Sequence, residues 1–393
     1  MISVAEALQL IDDNSSRSEM NQVNLNEAAG LVLAKDLYAP ADIPAYPQSS
    51  MDGYALSYFG CKKGTPLQLS GEMTAGSNQL TTLLPSQAIR IFTGAAVPAG
   101  ADTVVIQEKS KIINGELIIE DENLKAGDNV RQQGSEIKKG SLALHAGTVL
   151  SPASIGFLAG IGFAELPVYL KPIISIIVTG NELQSPGQPL QYGQVYESNS
   201  FSLTAALEQY KCRQVFRYRS GDHLDSISML LQEALDQSDM VLLTGGVSVG
   251  DYDFTKKAAE HCGVKTLFHK IKQKPGKPIF FGKKGKKLVF GLPGNPASVL
   301  TCFYLYVGPA LEKFMNLKPV IKKANVPSGS LIKKPSGITW FLKGYYENGI
   351  VKTLDAQESY RLSSFALANC LIQVNEEQII CNPDDPVTIH LLP

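Results

Sequence analysis

The pattern of apolar and polar positions changes character three times along the chain. Ser3-Val-Ala-Glu6 has the Ser-x-x-Glu spacing in which hydroxyl and carboxylate satisfy the first free backbone amides of a helix, and it predicts a short helix to about Asp12. A second short helix is predicted at Glu27-Ala-Ala-Gly-Leu-Val-Leu-Ala34. From about Ala39 to Gly140 the apolar runs are short, β-like and broken by Pro, Gly and Asn: Leu67-Gln-Leu69, Ala88-Ile-Arg-Ile-Phe92, Thr103-Val-Val-Ile-Gln107, Leu117-Ile-Ile-Glu120. This texture predicts a small β domain over residues 41–140. Residues 1–40 and 141–170 read as one N-terminal linking region.

From Pro172 the runs lengthen. Ile173-Ile-Ser-Ile-Ile-Val-Thr179 is a nearly continuous β-branched run, as a strand buried on both faces requires. Helices are expected at Ser200–Tyr210, His223–Asp236, Phe254–His261 and Pro296–Phe314, and strands at Gln214–Tyr218, Met240–Thr244, Thr266–Ile271 and Leu288–Phe290. Such alternation predicts a doubly wound, mostly parallel α/β domain over residues 171–318. Lys283-Lys-Gly-Lys-Lys287 reads as a solvated hairpin tip. After Pro319 short strands return (Trp340-Phe-Leu342, Gly349-Ile-Val-Lys352, Leu371-Ile-Gln-Val374), predicting a small C-terminal β-barrel over residues 319–393.

Composition narrows the classes. With 44% hydrophobic and 19% charged residues the chain is neither disordered nor a coiled coil. A net charge of −1 disfavours general nucleic-acid binding. The six cysteines show no C-x-x-C spacing, so neither a zinc nor a redox motif is expected. The first residues lack a basic region followed by an apolar run, and Pro172–Val178 is too short to span a bilayer. A cytoplasmic protein without membrane association is expected.

Ligands of an open parallel sheet bind beyond the carboxyl ends of its strands, so the following loops carry the candidate chemistry. They are Thr179-Gly-Asn-Glu-Leu183, Ser220-Gly-Asp222, Thr244–Asp253, Lys270 with Lys274-Pro-Gly-Lys-Pro278, and Gly291-Leu-Pro-Gly-Asn-Pro296. Gly245, Gly246, Ser248 and Gly250 precede a helix and suit phosphate, although glycines in such turns also serve geometry alone. No Gly-Lys-Ser/Thr follows, which argues against a Walker-type NTPase. Asp222 and Asp253 stand at predicted helix starts, where capping competes with function. Glu182 reads either as a solvated loop charge or as a ligand. Several carboxylates around a phosphate loop call for a bridging cation, and Mg²⁺ fits. Lys274 and Lys277 bracket Pro-Gly, so the turn either aims two ammonium groups at one oxyanion or is an ordinary basic turn. Asp52 and Thr93, in the β domain, read on physics alone as turn residues. The five histidines form no ligand pattern.

Five collinear segments carry a resemblance: Ser50-Met-Asp-Gly-Tyr-Ala55, Phe92-Thr-Gly-Ala-Ala-Val-Pro98, Gly245-Gly-Val-Ser-Val-Gly250, Lys274-Pro-Gly-Lys-Pro278 and Gly291-Leu-Pro-Gly-Asn-Pro296. Across nearly its whole length the chain resembles the molybdopterin molybdenumtransferases, MoeA of bacteria and the E domain of gephyrin. The resemblance implies a four-domain chain whose α/β domain is of the molybdopterin-binding type, and a homodimer with an active site shared between subunits. The implied activity is Mg²⁺-dependent insertion of molybdate into adenylylated molybdopterin, with release of AMP. Contact with a molybdopterin adenylyltransferase is a further implied partnership. By motif matching, Asp52 and Thr93 close the partner's site. Glu182, Asp222 and Asp253 serve the nucleotide phosphates, the first two as Mg²⁺ ligands. Lys270 and Lys274 fall where the family has functional lysines, Lys274, Lys277 and Pro278 match its molybdate-holding turn, Ser364 fits a further oxyanion contact, and Lys343, Pro293 and Pro296 are implied in cofactor binding.

Four departures stand out. Gly134-Ser-Glu136 replaces the usual Gly-Glu-Asp, Asn181 an Asp, Glu197-Ser-Asn199 an Asp-Thr-Asn, and Lys343-Gly344 an Arg-Gly. Arg and Lys are not equivalent at a bidentate site, so the last exchange bears on oxyanion affinity. Two other readings compete, a molybdopterin adenylyltransferase and a gephyrin-like scaffold. The β-domain motifs argue against the first and the lack of a long linker against the second. Tungstate is not separable from molybdate on sequence.

Overall fold

The structure, a computed structural model, describes residues 1–61, 64–246 and 254–393. The chain forms two compact units. One comprises Met1–Val23, Gly30–Ala34 and Pro167–Pro393; the other comprises Asn24–Ala29 and Lys35–Leu166.

The centre of the first unit is an α/β layer. Its elements in chain order are β1 (Ile174–Thr179), α1 (Asn199–Gln209), β2 (Val215–Ser220), α2 (Leu224–Gln237), β3 (Met240–Thr244), α3 (Phe254–His261), β4 (Lys265–His269), β5 (Phe280–Lys284), β6 (Lys287–Leu292), α4 (Pro296–Cys302) and α5 (Gly308–Met315). The sheet order is β2-β1-β3-β6-β5-β4. β1, β2, β3 and β6 are parallel, whereas β5 runs antiparallel to both β6 and β4. The reversal comes from the lysine-rich hairpin, whose last paired residues are Lys284 and Lys287.

β1 is buried along its whole length, and its residues alternate between two cores. Ile174, Ile176 and Val178 pack with Leu203 and Leu207 on one face, while Ile177 packs with Ile227, Leu231 and Leu235 on the other. Each fully buried Ile or Leu contributes about 1.5–3 kcal/mol, so the β-branched run is what makes this strand central.

Two expectations are corrected and one is met. The segment 27–34 is not helical: a 3-10 turn at Leu25–Glu27 stops at its first residue, Gly30 has φ +75°, and Val32–Leu33 pairs with Val168 and Tyr169 as strand. The helix from Pro296 is not continuous. A π-turn at Phe303–Val307 separates α4 from α5, next to Pro309, whose ring excludes regular bonding to the preceding turn. The N-terminal helix Val4–Asn14 has the expected capping box, and Val4, Ala7 and Ile11 join the core of the α/β layer.

The C-terminal part of this unit is a sheet in which Gln273–Lys274, Thr339–Glu347, Cys370–Val374, Pro386–Leu391 and Lys322–Pro327 are successive neighbours. A strand pair, Ile332–Lys333 with Ile380–Cys381, contributes Ile332 and Cys381 to the core this sheet encloses. Residues Gln273–Lys274, from the stretch between β4 and β5, thus join the C-terminal sheet, in parallel with Thr339–Trp340.

The second unit holds a six-stranded sheet ordered Thr103–Ile106, Gly53–Leu56, Gln87–Ile91, Leu67–Met73, Glu116–Ile119, Ser110–Ile113. Gly53 is required there, because a Cβ would lie 2.0 Å from the Val105 carbonyl oxygen. Among the described residues, no helix is long and apolar enough to cross a membrane.

Candidate functional site

The carboxyl ends of β1, β2, β3 and β6 gather the predicted loops. After β1 and β2, the Gly180 amide donates to the Ser220 carbonyl at 3.3 Å, and Asn181 Oδ1 accepts from the Asp222 amide at 3.2 Å. Asn181, noted only as a departure, therefore ties together the two loops that carry the carboxylates. Glu182 is exposed, and its carboxylate folds back over Gly180, where an added Cβ would meet both oxygens at 2.9 Å. Asp222 is not a helix cap, since α2 begins at Leu224 with His223 at the cap position. Its Oδ1 is buried and has no hydrogen-bond partner among the described residues.

A buried, unpaired carboxylate oxygen is costly unless a ligand completes it, and a hard cation is such a ligand. Among the described residues no group of three or more His, Cys, Asp or Glu is placed to hold a metal. Asp222 and Glu182 stand on the two loops that Asn181 ties together, and so small a set of carboxylates would suit an ion that keeps water and shares substrate phosphates, as Mg²⁺ does.

After β3, Gly245 and Gly246 have φ +88° and +61°. A Cβ on Gly245 would lie 2.1 Å from the Thr179 carbonyl oxygen, so only glycine lets this loop pass the end of β1. Ser248, Gly250 and Asp253, predicted in the same loop, lie outside the described residues. Asn199 enters the sequence reading only as the end of Glu197-Ser-Asn199, with no role assigned. Its Nδ2 donates to Thr244 Oγ1 at 2.9 Å and to the Gly294 carbonyl at 2.8 Å, while Oδ1 is buried with no partner among the described residues. Thr244 in turn donates to the Pro293 carbonyl at 3.0 Å. The loops after β3 and β6 are thereby knotted, and a Cβ on Gly294 would lie 3.8 Å from the Gly245 Cα.

The loop after β6 leads into a cleft of about 390 Å³ lined by Lys274–Pro278, Pro293–Asn295, Ser298, Gln357 and Ser359. Both lysines of the turn line it. The turn is held from below. Gln273, 1% exposed, donates from Nε2 to the Pro275 carbonyl at 2.9 Å, and its Oε1 accepts from the Tyr306 hydroxyl of the π-turn. The π-turn thus fixes the amide that fixes the lysine turn. Lys270 is half-buried at φ +79° and does not line the cleft; nor does Pro296, which opens α4.

Lys343 and Ser364 are placed differently from the motif-based expectation. Lys343 is 4% exposed, and its ammonium donates to the carbonyls of Ala356 at 2.6 Å, Glu358 at 3.4 Å and Arg361 at 2.9 Å. Ser364 donates to the same Ala356 carbonyl at 2.8 Å. Burial pushes the Lys343 pKa down. Both side chains hold the loop that carries Gln357 and Ser359 to the cleft. A larger cleft of about 760 Å³, lined by residues such as Ser3, Phe341 and His390, contains none of the candidate residues.

In the second unit, Asp52 and Thr93 meet. Asp52 Oδ1 accepts from the Thr93 amide at 2.8 Å and from its hydroxyl at 2.7 Å. These bonds, with a smaller contribution from Arg90, hold the Asp52 carboxyl below the usual carboxylate range. Arg90, also missed in the sequence, lies 5.0 Å from the Tyr54 ring and 5.1 Å from the Phe92 ring. Both rings flank the two motifs, so their spacing was the available signal.

Comparison with known proteins identifies the family. Three family patterns match in order: the MoeA N-terminal region (domain I and II) at residues 2–162, a probable molybdopterin binding domain at 175–313, and the MoeA C-terminal region (domain IV) at 325–392. A molybdopterin molybdenumtransferase of Haemophilus influenzae is 35% identical over 387 residues, covering 95% of each chain. A molybdopterin molybdenumtransferase 2 of Mycobacterium tuberculosis is 33% identical over 393 residues, covering 96% of each. The crystal structure of a molybdopterin biosynthesis MoeA protein from Pyrococcus horikosii superposes with a TM-score of 0.84 at 28% identity, covering 100% of this chain and 99% of that one. On sequence, on domain order and on fold, the chain belongs to the molybdopterin molybdenumtransferase family.

Proposed function

We propose that this protein completes the molybdenum cofactor by inserting molybdate into adenylylated molybdopterin, releasing AMP. The observation that carries this reading is the joining of two sites by one loop. Pro293–Asn295 lines the cleft of Lys274 and Lys277 and also lies against the glycine turn at Gly245. A substrate with a phosphoanhydride at one end and a dithiolene at the other needs such a pair of neighbouring anion sites.

In this reading the ammonium groups of Lys274 and Lys277 bind the molybdate dianion and orient it. Gln273 and Tyr306 keep the turn in place, and Lys343 with Ser364 keep the Gln357–Ser359 loop against it. Lys270 backs the turn from its own strand end. Gly245, Gly246, Ser248 and Gly250 receive phosphate through backbone amides, and Asp253 serves the same end. Asp222 and Glu182 would hold Mg²⁺, with Asn181 fixing their loops. Bound there, Mg²⁺ would supply Lewis-acid activation of the phosphoanhydride. Anhydride opening is coupled to metal insertion, so AMP leaves as the cofactor forms. Asp52 and Thr93 complete the site of the partner in a homodimer. The protein works in the cytoplasm, downstream of a molybdopterin adenylyltransferase that makes contact with it.

The test is molybdate-dependent release of AMP from adenylylated molybdopterin by purified protein, with and without Mg²⁺. Release in the presence of both supports the reading. Formation of adenylylated pterin from ATP, with no molybdate-dependent AMP release, would overturn it. Tungstate in place of molybdate measures oxyanion preference in the same assay.

A further inference from the structure

We propose that Trp340 is a positioning residue for Lys274, holding its ammonium on the indole face at the rim of the oxyanion cleft. The inference rests on the reading of that cleft as the molybdate site.

The contact follows from backbone register. Gln273–Lys274 pairs in parallel with Thr339–Trp340, which sets Lys274 beside Trp340. Lys274 Nζ lies 4.6 Å from the centre of the Trp340 ring. Residues in register on neighbouring strands project from the same face, so the pair is set by the sheet. The Lys274 side of the pair is also anchored, because its neighbour Gln273 is tied to the Pro275 carbonyl and to Tyr306.

The chemistry explains why an aromatic ring is suited to this place. A carboxylate would hold the ammonium but cancel the charge that an oxyanion needs. The ring quadrupole attracts the cation without neutralising it, and indole does so best among the aromatic side chains. An unheld lysine loses rotamer freedom when it binds its anion, and a lysine already resting on a ring loses less. Trp340 thus lowers the ordering cost of molybdate binding and leaves the charge of Lys274 available.

Trp340 is the only tryptophan of the chain, so its fluorescence reports this contact. The experiment titrates the full-length protein with sodium molybdate, by calorimetry and by intrinsic fluorescence. Trp340→Leu is expected to raise the molybdate Kd about two- to fivefold. Trp340→Phe, which keeps a ring in place, is expected to raise it less. In a Lys274→Met background, Trp340→Leu is expected to add nothing. In the insertion assay the Trp340 variants should raise KM for molybdate and leave kcat unchanged. A Trp340→Leu protein with wild-type affinity overturns the proposal alone, as does an equal loss in both Lys274 backgrounds. Wild-type protein that gives neither heat nor a Lys274-dependent fluorescence change overturns the oxyanion reading, and the proposal with it.

Discussion

At the scale of single residues, a side chain's motif does not decide its role; its hydrogen bonds do. Lys343 stands where the family resemblance implies an anion contact, yet its ammonium is occupied by three carbonyls of the loop at Ala356, Glu358 and Arg361. Lys343→Met should leave these buried carbonyls without donors and cost about 2–4 kcal/mol, visible as a lower melting temperature. Molybdate affinity should fall with it, since the same loop carries Gln357 and Ser359 to the cleft. Retained stability with lost affinity would show direct anion contact instead. Asp52 gives a second prediction. Hydrogen bonds from Thr93 lower its folded pKa, so their contribution is present above the unfolded value of about 3.9 and is lost as pH falls through the lower folded value. Thr93→Val removes the hydroxyl donor but keeps the amide, so it should raise the Asp52 pKa part of the way back. A carboxyl-carbon NMR titration reads this directly, and an unchanged pKa would count against the bond.

At the scale of elements, what was legible depended on whether the signal was local. The β-branched run Ile174–Thr179 announced a central strand, and the loops after the strands held the lysines and acids where an open sheet binds ligands. Ser3 and Glu6 announced their helix by the bonds they make to each other's backbone. The supports of the site were illegible because they are made between distant segments. Nothing in Gln273 says that its partner is Tyr306, or that residues Gln273–Lys274 leave the α/β layer to join Thr339–Glu347. The π-turn that aims Tyr306 depends on Pro309 lying inside an otherwise helical pattern. Glycine 276 shows the same dependence. Gly276 has φ +85°, and a Cβ there would lie 2.4 Å from Cys302 Sγ. Gly276→Ala should therefore displace the lysine turn, cost about 1–3 kcal/mol and abolish molybdate binding. Adding Cys302→Ala relieves the clash but not the backbone conformation, so stability should recover in part and affinity little. Full recovery of both would mean that packing alone had fixed the glycine.

At the scale of the whole molecule, the candidate residues are divided between two compact units. Asp52 and Thr93 belong to one; Glu182, Asp222 and the lysine turn belong to the other. This division makes the proposed sharing of sites between subunits testable by genetics of mixed dimers. Consider Asp52→Ala chains co-expressed with Glu182→Ala chains. If each site takes Asp52 from the partner chain, a mixed dimer has one site with both residues intact and one site with neither. Random pairing makes half of the dimers mixed, so activity should return to about one quarter of the wild-type level in a two-fold symmetric dimer. If each site is built from one chain, every site carries one lesion and no activity returns. The two variants alone should be inactive and should fold, because both side chains are exposed. Differently tagged chains, purified through both tags, raise the expected activity to about one half, since every dimer is then mixed. Dimers that form but stay inactive would place Asp52 and Glu182 in the same chain's site, and would leave the Asp52–Thr93 pair without its proposed role in the partner.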